Sequence, residues 1–219
     1  MCSSDLSNTT GSYNTAFGNG SLGSNTTASN NTAVGYQSLY SNVTGTGLVA
    51  MGYGALYSNT ADSNTAIGSF SQYPNTSGTQ NTSLGNSAMR FNTTGSFNTS
   101  VGSSALFNNT TASNNTVVGY QAAYSNTTGS PVTALGFHAL YYNTTGADNV
   151  AIGYNTMAGN SGGLTGGANT AVGDYALISL SSGNYNTAHG YQSLYSNTTA
   201  SNNTAVGLDR KSTRLNSSH

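Results

Sequence analysis

Asn31-Thr32-Ala33-Val34-Gly35-Tyr36-Gln37-Ser38-Leu39-Tyr40-Ser41-Asn42 decides how this chain folds, because the same run returns again and again along it. Its fixed mark is the glycine that closes the pentad Asn-Thr-Ala-apolar-Gly. Twelve such glycines occur: Gly18, Gly35, Gly52, Gly68, Gly85, Gly102, Gly119, Gly136, Gly153, Gly173, Gly190 and Gly207. Nine of the eleven intervals are 17 residues, one is 16 and one is 20. A short fixed period means one small unit stacked on itself, so the chain predicts a solenoid of about eleven coils.

Numbering each coil from the pentad asparagine, the consensus is Asn-Thr-Ala-Val-Gly-Tyr-Gln-Ala-Leu-Tyr-Ser-Asn-Thr-Thr-Gly-Ser-Asn. Positions 1–5 and 7–11 are too short for helices and are separated by turn formers, so two short strands per coil are expected. The fold class is therefore all-β, a parallel β-roll. Strand side chains alternate between faces. On that rule Val at position 4 and Thr at position 2 face inward and Ala at position 3 faces out. Leu at position 9 faces inward too (Leu22, Leu39, Leu56, Met89, Leu106, Leu140, Met157, Leu177, Leu194), leaving position 8 and Tyr at position 10 outside. Each buried aliphatic is worth roughly 1.5–3 kcal/mol before entropy is subtracted.

Asparagine holds position 12 in ten of eleven complete coils, from Asn25 and Asn42 to Asn160 and Asn197, with Leu180 the exception. Asparagine tolerates left-handed turns, and in-register copies can hydrogen-bond from coil to coil as a ladder. Many of these residues also read as Asn-x-Thr glycosylation sequons, but that spelling follows automatically from the repeat, and the structural role is preferred. The fixed glycine needs either positive φ or close approach of another backbone. With outward alanines beside it, it predicts a smooth stripe against which another subunit packs. The 20-residue coil is expected to extrude its excess, Gly159 to Gly167, as a loop.

The ends do not share the repeat. Asp209 to His219 are similar, codon for codon, to the translation of a short-read sequencing adapter, and Met1 to Leu6 to its reverse complement. Residues 1–6 and 209–219 are therefore set aside as non-native, leaving the repeat array 7–208. Without them the basic residues reduce to Arg90, the acidic ones to Asp62, Asp148 and Asp174, and Cys2 is gone. So little charge excludes electrostatic attraction to nucleic acid or to an anionic membrane. No run is apolar enough for a membrane-spanning helix. The regular aliphatics argue against disorder.

Two pentads, Asn64-Thr65-Ala66-Ile67-Gly68 and Asn149-Val150-Ala151-Ile152-Gly153, carry a resemblance. They are similar to the Ser-Val-Ala-Ile-Gly repeat of YadA-like head domains in trimeric autotransporter adhesins, and related repeats occur in phage tail-fibre proteins. The likeness covers residues 7–208. It implies a left-handed roll, a homotrimer, and an extracellular place on a bacterial outer-membrane surface or, alternatively, in a virion tail fibre. It further implies a fragment of a longer, non-enzymatic adhesive rod that meets a host-surface or matrix receptor.

No catalytic set, cofactor site or metal site is expected. His138 and His189 stand three coils apart at different positions, the aspartates are scattered, and glutamate is absent. The aromatic rows are the candidate binding feature: Tyr40, Tyr57, Tyr73, Tyr124, Tyr141 and Tyr195 at position 10 as receptor or glycan contacts, with a second row at position 6. The simpler expectation is that these rings stack on one another. An ice-binding solenoid is the alternative from a different class, since threonine rows on flat strands can order water; the inward threonine expected here counts against it.

Overall fold

The structure, a computed structural model, describes residues 7–208; the two adapter-like segments lie outside the described residues. Twelve strands, from β1 (Thr15–Phe17) to β12 (Thr204–Val206), form one parallel sheet in strict chain order. Register is fixed throughout, with Thr15 opposite Thr32 and Ala16 opposite Ala33. Each strand is three or four residues of the pentad. Stacked at about 4.8 Å per coil, the twelve strands make a rod about 50 Å long. The expected all-β solenoid is therefore the fold.

The second strand of each coil is not there: the expectation of two per coil is corrected to one. Positions 7–11 form turns in which positions 7 and 9 are left-handed, as at Gln37 (φ 54°) and Leu39 (φ 51°). Alternate left-handed residues cannot make a pleated strand. They bend the chain so that neighbours at positions 8 and 9, such as Ala55 and Leu56, are both fully buried, which a strand forbids. Left-handed leucine is costly. Continuous coil-to-coil hydrogen bonds offset it: Gln37 N–H donates to Asn19 O (2.9 Å), and Leu39 N–H to Ala55 O (3.0 Å).

The strand faces are reversed from expectation. Ala33, Ala50, Ala66 and Ala171 at position 3 are fully buried, whereas Thr at position 2 and the aliphatic at position 4 face outward, in a pattern such as that of Thr32–Val34. Asparagine at position 1 sets this parity. Asn31, Asn64, Asn98 and Asn186 are buried, and a residue two further along must then point the same way. The core is thus a layer of strand alanines facing corner leucines, with position 8 also inside.

Two asparagine ladders border that core. At position 12 most amides donate to the Oδ1 of the preceding coil: Asn92 to Asn75 (2.9 Å), Asn109 to Asn92 (2.8 Å), Asn143 to Asn126 (2.7 Å); Asn59 instead donates only to Ala61 O (2.7 Å). At position 1 Asn31 Oδ1 accepts from the Leu48 N–H (3.0 Å), and Asn98 Oδ1 from the Asn115 N–H (3.0 Å). Both ladders converge on one carbonyl per coil, as when Asn81 and Asn92 both donate to Gly95 O. Position 12 does not use left-handed angles; its amide serves the ladder and the carbonyl three residues on. Buried amides so engaged, Asn92 and Asn109 among them, are closed to glycosylation.

The core falls into two blocks, one from Leu22 to Ala66 and one from Met89 to Ala188. Between them Ser71, Gln72 and Ser83 are buried, with Gln72 in the leucine position. Gln72 Nε2 donates to Ser83 Oγ (2.8 Å), and its Oε1 has no hydrogen-bond partner.

Candidate functional site

The glycine row has a reason internal to the chain. Gly35 has φ +126°, and a Cβ there would stand 2.7 Å from Gly52 O of the next coil. The same clash recurs along the row from Gly18 through Gly52, Gly68, Gly85, Gly102, Gly119, Gly136, Gly153 and Gly173 to Gly190; Gly207 shares the positive φ. Since Ala at position 3 and the residue at position 8 are buried, no smooth outward stripe accompanies the glycines. The glycine row therefore gives no sign of a partner subunit.

What the outer face of the sheet does carry is a row of mostly apolar side chains. Phe17, Met51, Leu84, Leu135 and Val206 at position 4 are all at least 40% exposed, with Val34, Ile67, Val101 and Ile152 half-buried between them. The position-2 threonines run alongside. Beside this row, across the glycines, lie the position-6 rings Tyr36, Tyr53, Tyr120, Phe137, Tyr154 and Tyr191. His189 also sits in the row, exposed.

The position-10 aromatics form two stacked columns. Tyr40, Tyr57 and Tyr73 stand 5.2 and 4.9 Å apart, 16° from parallel. Phe107, Tyr124 and Tyr141 follow at 4.9 and 5.2 Å, within 8° of parallel. Arg90 occupies the same position between the columns and lays its guanidinium over the Phe70 ring (4.5 Å to the centroid). Tyr195 lies beyond, at the far end of the rod. The rings therefore do stack on each other, the simpler of the two expectations. Their half-exposed edges form the outer border of the rod. Burial, followed by the neighbouring phenols, raises the Tyr57 and Tyr141 pKa values above the ordinary tyrosine value.

The second column stops at Tyr141 because the next coils carry Ala158 and Ile178 at position 10. Tyr142 meets Tyr141 edge-on at 4.6 Å, and His138 tilts against it at 4.6 Å. His138 Nε2 lies 2.9 Å from Gln121 Oε1. Burial lowers the His138 pKa, an effect partly countered by its hydrogen bond with Asn155, so the ring is neutral at pH 7. These side chains, with Asn155, Ala158, Gly159 and Ile178, line an open cavity of about 320 Å³.

The 20-residue coil has a different extruded segment from the one expected. Leu164, buried, pairs with Asn143 at the ladder position, so residues 160–163 form the loop and Asn160 is exposed rather than a rung. Leu180 fills the next rung. Asn143 Oδ1 is consequently left without a hydrogen-bond partner.

Among the described residues no group of three His, Cys, Asp or Glu side chains could hold a metal, and no helix is long and apolar enough to cross a membrane. Comparison with family models, curated proteins and solved structures finds no match to this chain.

Proposed function

We propose that residues 7–208 form a non-enzymatic structural and adhesive rod, a segment of a longer trimeric surface protein that attaches to host cells or surfaces. The observation that carries this reading is the outward apolar row at position 4, one side chain per coil along the sheet and interrupted only at His189. A lone chain leaves this apolar stripe in water, which long soluble proteins avoid. Three parallel copies packed side by side would cover it, with matching pitch from coil to coil. The pentad resemblance supports the same arrangement, and with it an extracellular setting on a bacterial surface or in a phage tail-fibre shaft.

Sedimentation of the full chain tests it. A homotrimer is expected, dissociating when Val101 and Leu135 are both replaced by Glu. A stable monomer overturns the trimeric rod.

One observation favours a second reading. The position-2 threonines, expected inside, face outward beside the aliphatic row on a parallel sheet, as an ice-binding surface requires. Against it, position 4 mixes Val, Ile, Leu, Met, Phe and His, which makes the face uneven. Both readings need the same face. Thermal hysteresis in the unsubstituted chain, together with a monomer in sedimentation, would favour ice.

A further inference from the structure

An open cavity lies where the second aromatic column ends. Each coil from Phe107 to Tyr141 adds one ring at about 5 Å, nearly parallel to the last. At the next coil the chain supplies Ala158 instead, so the outer face of Tyr141 has no ring above it. Tyr142 stands nearly perpendicular to Tyr141, at 82°, and forms a side wall. Ile178 also lines it, and His138 and Asn155 border it with polar atoms.

We propose that this cavity binds one neutral pyranose ring of a glycan, stacked on Tyr141 in place of the absent aromatic. The proposal deepens the attachment reading by naming the receptor chemistry, and rests on it for biological meaning only. Three observations converge. The volume, about 320 Å³, lies at the small end of the range of roughly 300–1,000 Å³ for small-molecule sites, right for a single sugar residue. An aromatic face beside a second ring suits the C–H face of a pyranose, and the Asn155 amide and Tyr142 phenol can meet its hydroxyls. The lining holds no Asp, Glu, Lys or Arg, and His138 is neutral at pH 7, so nothing there favours an anionic sugar. The first column is followed at position 10 by Arg90, its guanidinium over the Phe70 and Phe91 rings, rather than by a small residue.

The test uses the full chain with the methyl glycosides of glucose, galactose, mannose and N-acetylglucosamine, and sialic acid as the anionic comparison. Saturation-transfer NMR and tyrosine fluorescence, undisturbed because the chain lacks tryptophan, report binding. At least one neutral glycoside is expected to bind. Ala158→Tyr, which extends the column into the cavity, should weaken it by about tenfold or more; Tyr142→Ala, which removes the wall, should do the same. Tyr57→Phe in the other column should leave it unchanged. Circular dichroism confirms that each variant keeps the fold. No transfer to any neutral glycoside, transfer to sialic acid alone, or full binding in Ala158→Tyr would overturn the site. Binding abolished by Ala158→Tyr in a parent chain that attaches to no cells would uphold the site and count against the attachment reading alone.

Discussion

Coils from Asn75 to Asn143 and the two that follow solve one problem in opposite ways. In the first stretch the corner of every coil is an asparagine bonded to the next, each amide also satisfying a backbone carbonyl. In the second the same rungs are Leu164 and Leu180, both fully buried. The corner therefore needs a side chain that fills it, and either a closed polar ladder or a closed apolar one serves. The junction is where the two meet badly: Asn143 Oδ1 faces leucine and finds no donor. Buried polar groups are stabilising when every member is satisfied and costly at a broken end.

The glycine row gives the largest contrast between a stacked coil and the extruded loop. At Gly102 a Cβ would meet the Gly119 carbonyl carbon at 2.7 Å, at φ +133°. At Gly162, in the loop, the nearest contact is Asn160 Oδ1 at 3.1 Å. Gly102→Ala should destabilise the rod by about 3 kcal/mol or more, through strain and displaced backbone. Gly162→Ala should stay within about 0.5 kcal/mol. Thermal melts by circular dichroism compare them; equal shifts would break the distinction between coil and loop.

The ladder itself comes next. Asn109→Leu leaves Asn92 Oδ1 without its donor and takes one acceptor from Asn126, a loss of about 2–3 kcal/mol. Asn143→Leu removes the orphaned Oδ1 and extends the leucine rungs, while orphaning Asn126 Oδ1 instead. Gly146 O also loses its donor, so unsatisfied oxygens rise from one to two. No amide N–H loses an acceptor, however, as that of Asn126 does in Asn109→Leu, so the cost should be the smaller of the two, about 1–2 kcal/mol. Denaturant midpoints would show whether the junction can move by one coil at this smaller cost. If both variants lose equally, the two corner types are not interchangeable.

Much of this architecture is legible in the sequence, and the failures have physical causes. The period, the stacking, the buried leucines and the position-12 ladder all follow from residues that recur. Face parity does not, because hydrophobicity points to Val34 as the inward residue whereas Asn31, two residues before Ala33, sets the inner face. The second strand fails because left-handed Gln37 and Leu39 are invisible to propensity; only the coil-to-coil hydrogen bonds hold them there. Asn160 misleads because counting from Gly153 assumes that the excess residues come late in the coil. The cavity at Tyr141 is signalled only by Ala158 in a row of aromatics, a missing side chain rather than a motif.

Gln72 sharpens the same comparison inside the core. It is a single polar residue in a leucine row, with Nε2 satisfied and Oε1 not. Gln72→Leu should join the two apolar blocks and stabilise the rod by about 1 kcal/mol, although Ser83 loses a donor. A lower melting temperature in this variant would mean that the serine–glutamine cluster is worth more than the apolar contact it displaces.

The smallest expected effect is electrostatic and separates the stacked columns from the edge-on rings. Tyr57 and Tyr141 lie face to face with neighbours, whereas Tyr175 meets Tyr154 and Tyr191 edge-on at 5.4 and 6.0 Å. All three have pKa values raised first by burial and then by nearby phenols. The unfolded chain releases these protons near pH 10, the folded chain later, so between those values the native state holds more protons. Their contribution is complete below pH 10 and is lost as pH climbs through the raised values. The midpoint of urea unfolding should therefore fall above pH 10, and Tyr57→Phe with Tyr141→Phe should flatten that fall more than Tyr175→Phe does. If the slope is the same in all three proteins, column stacking does not hold the phenols in their neutral form.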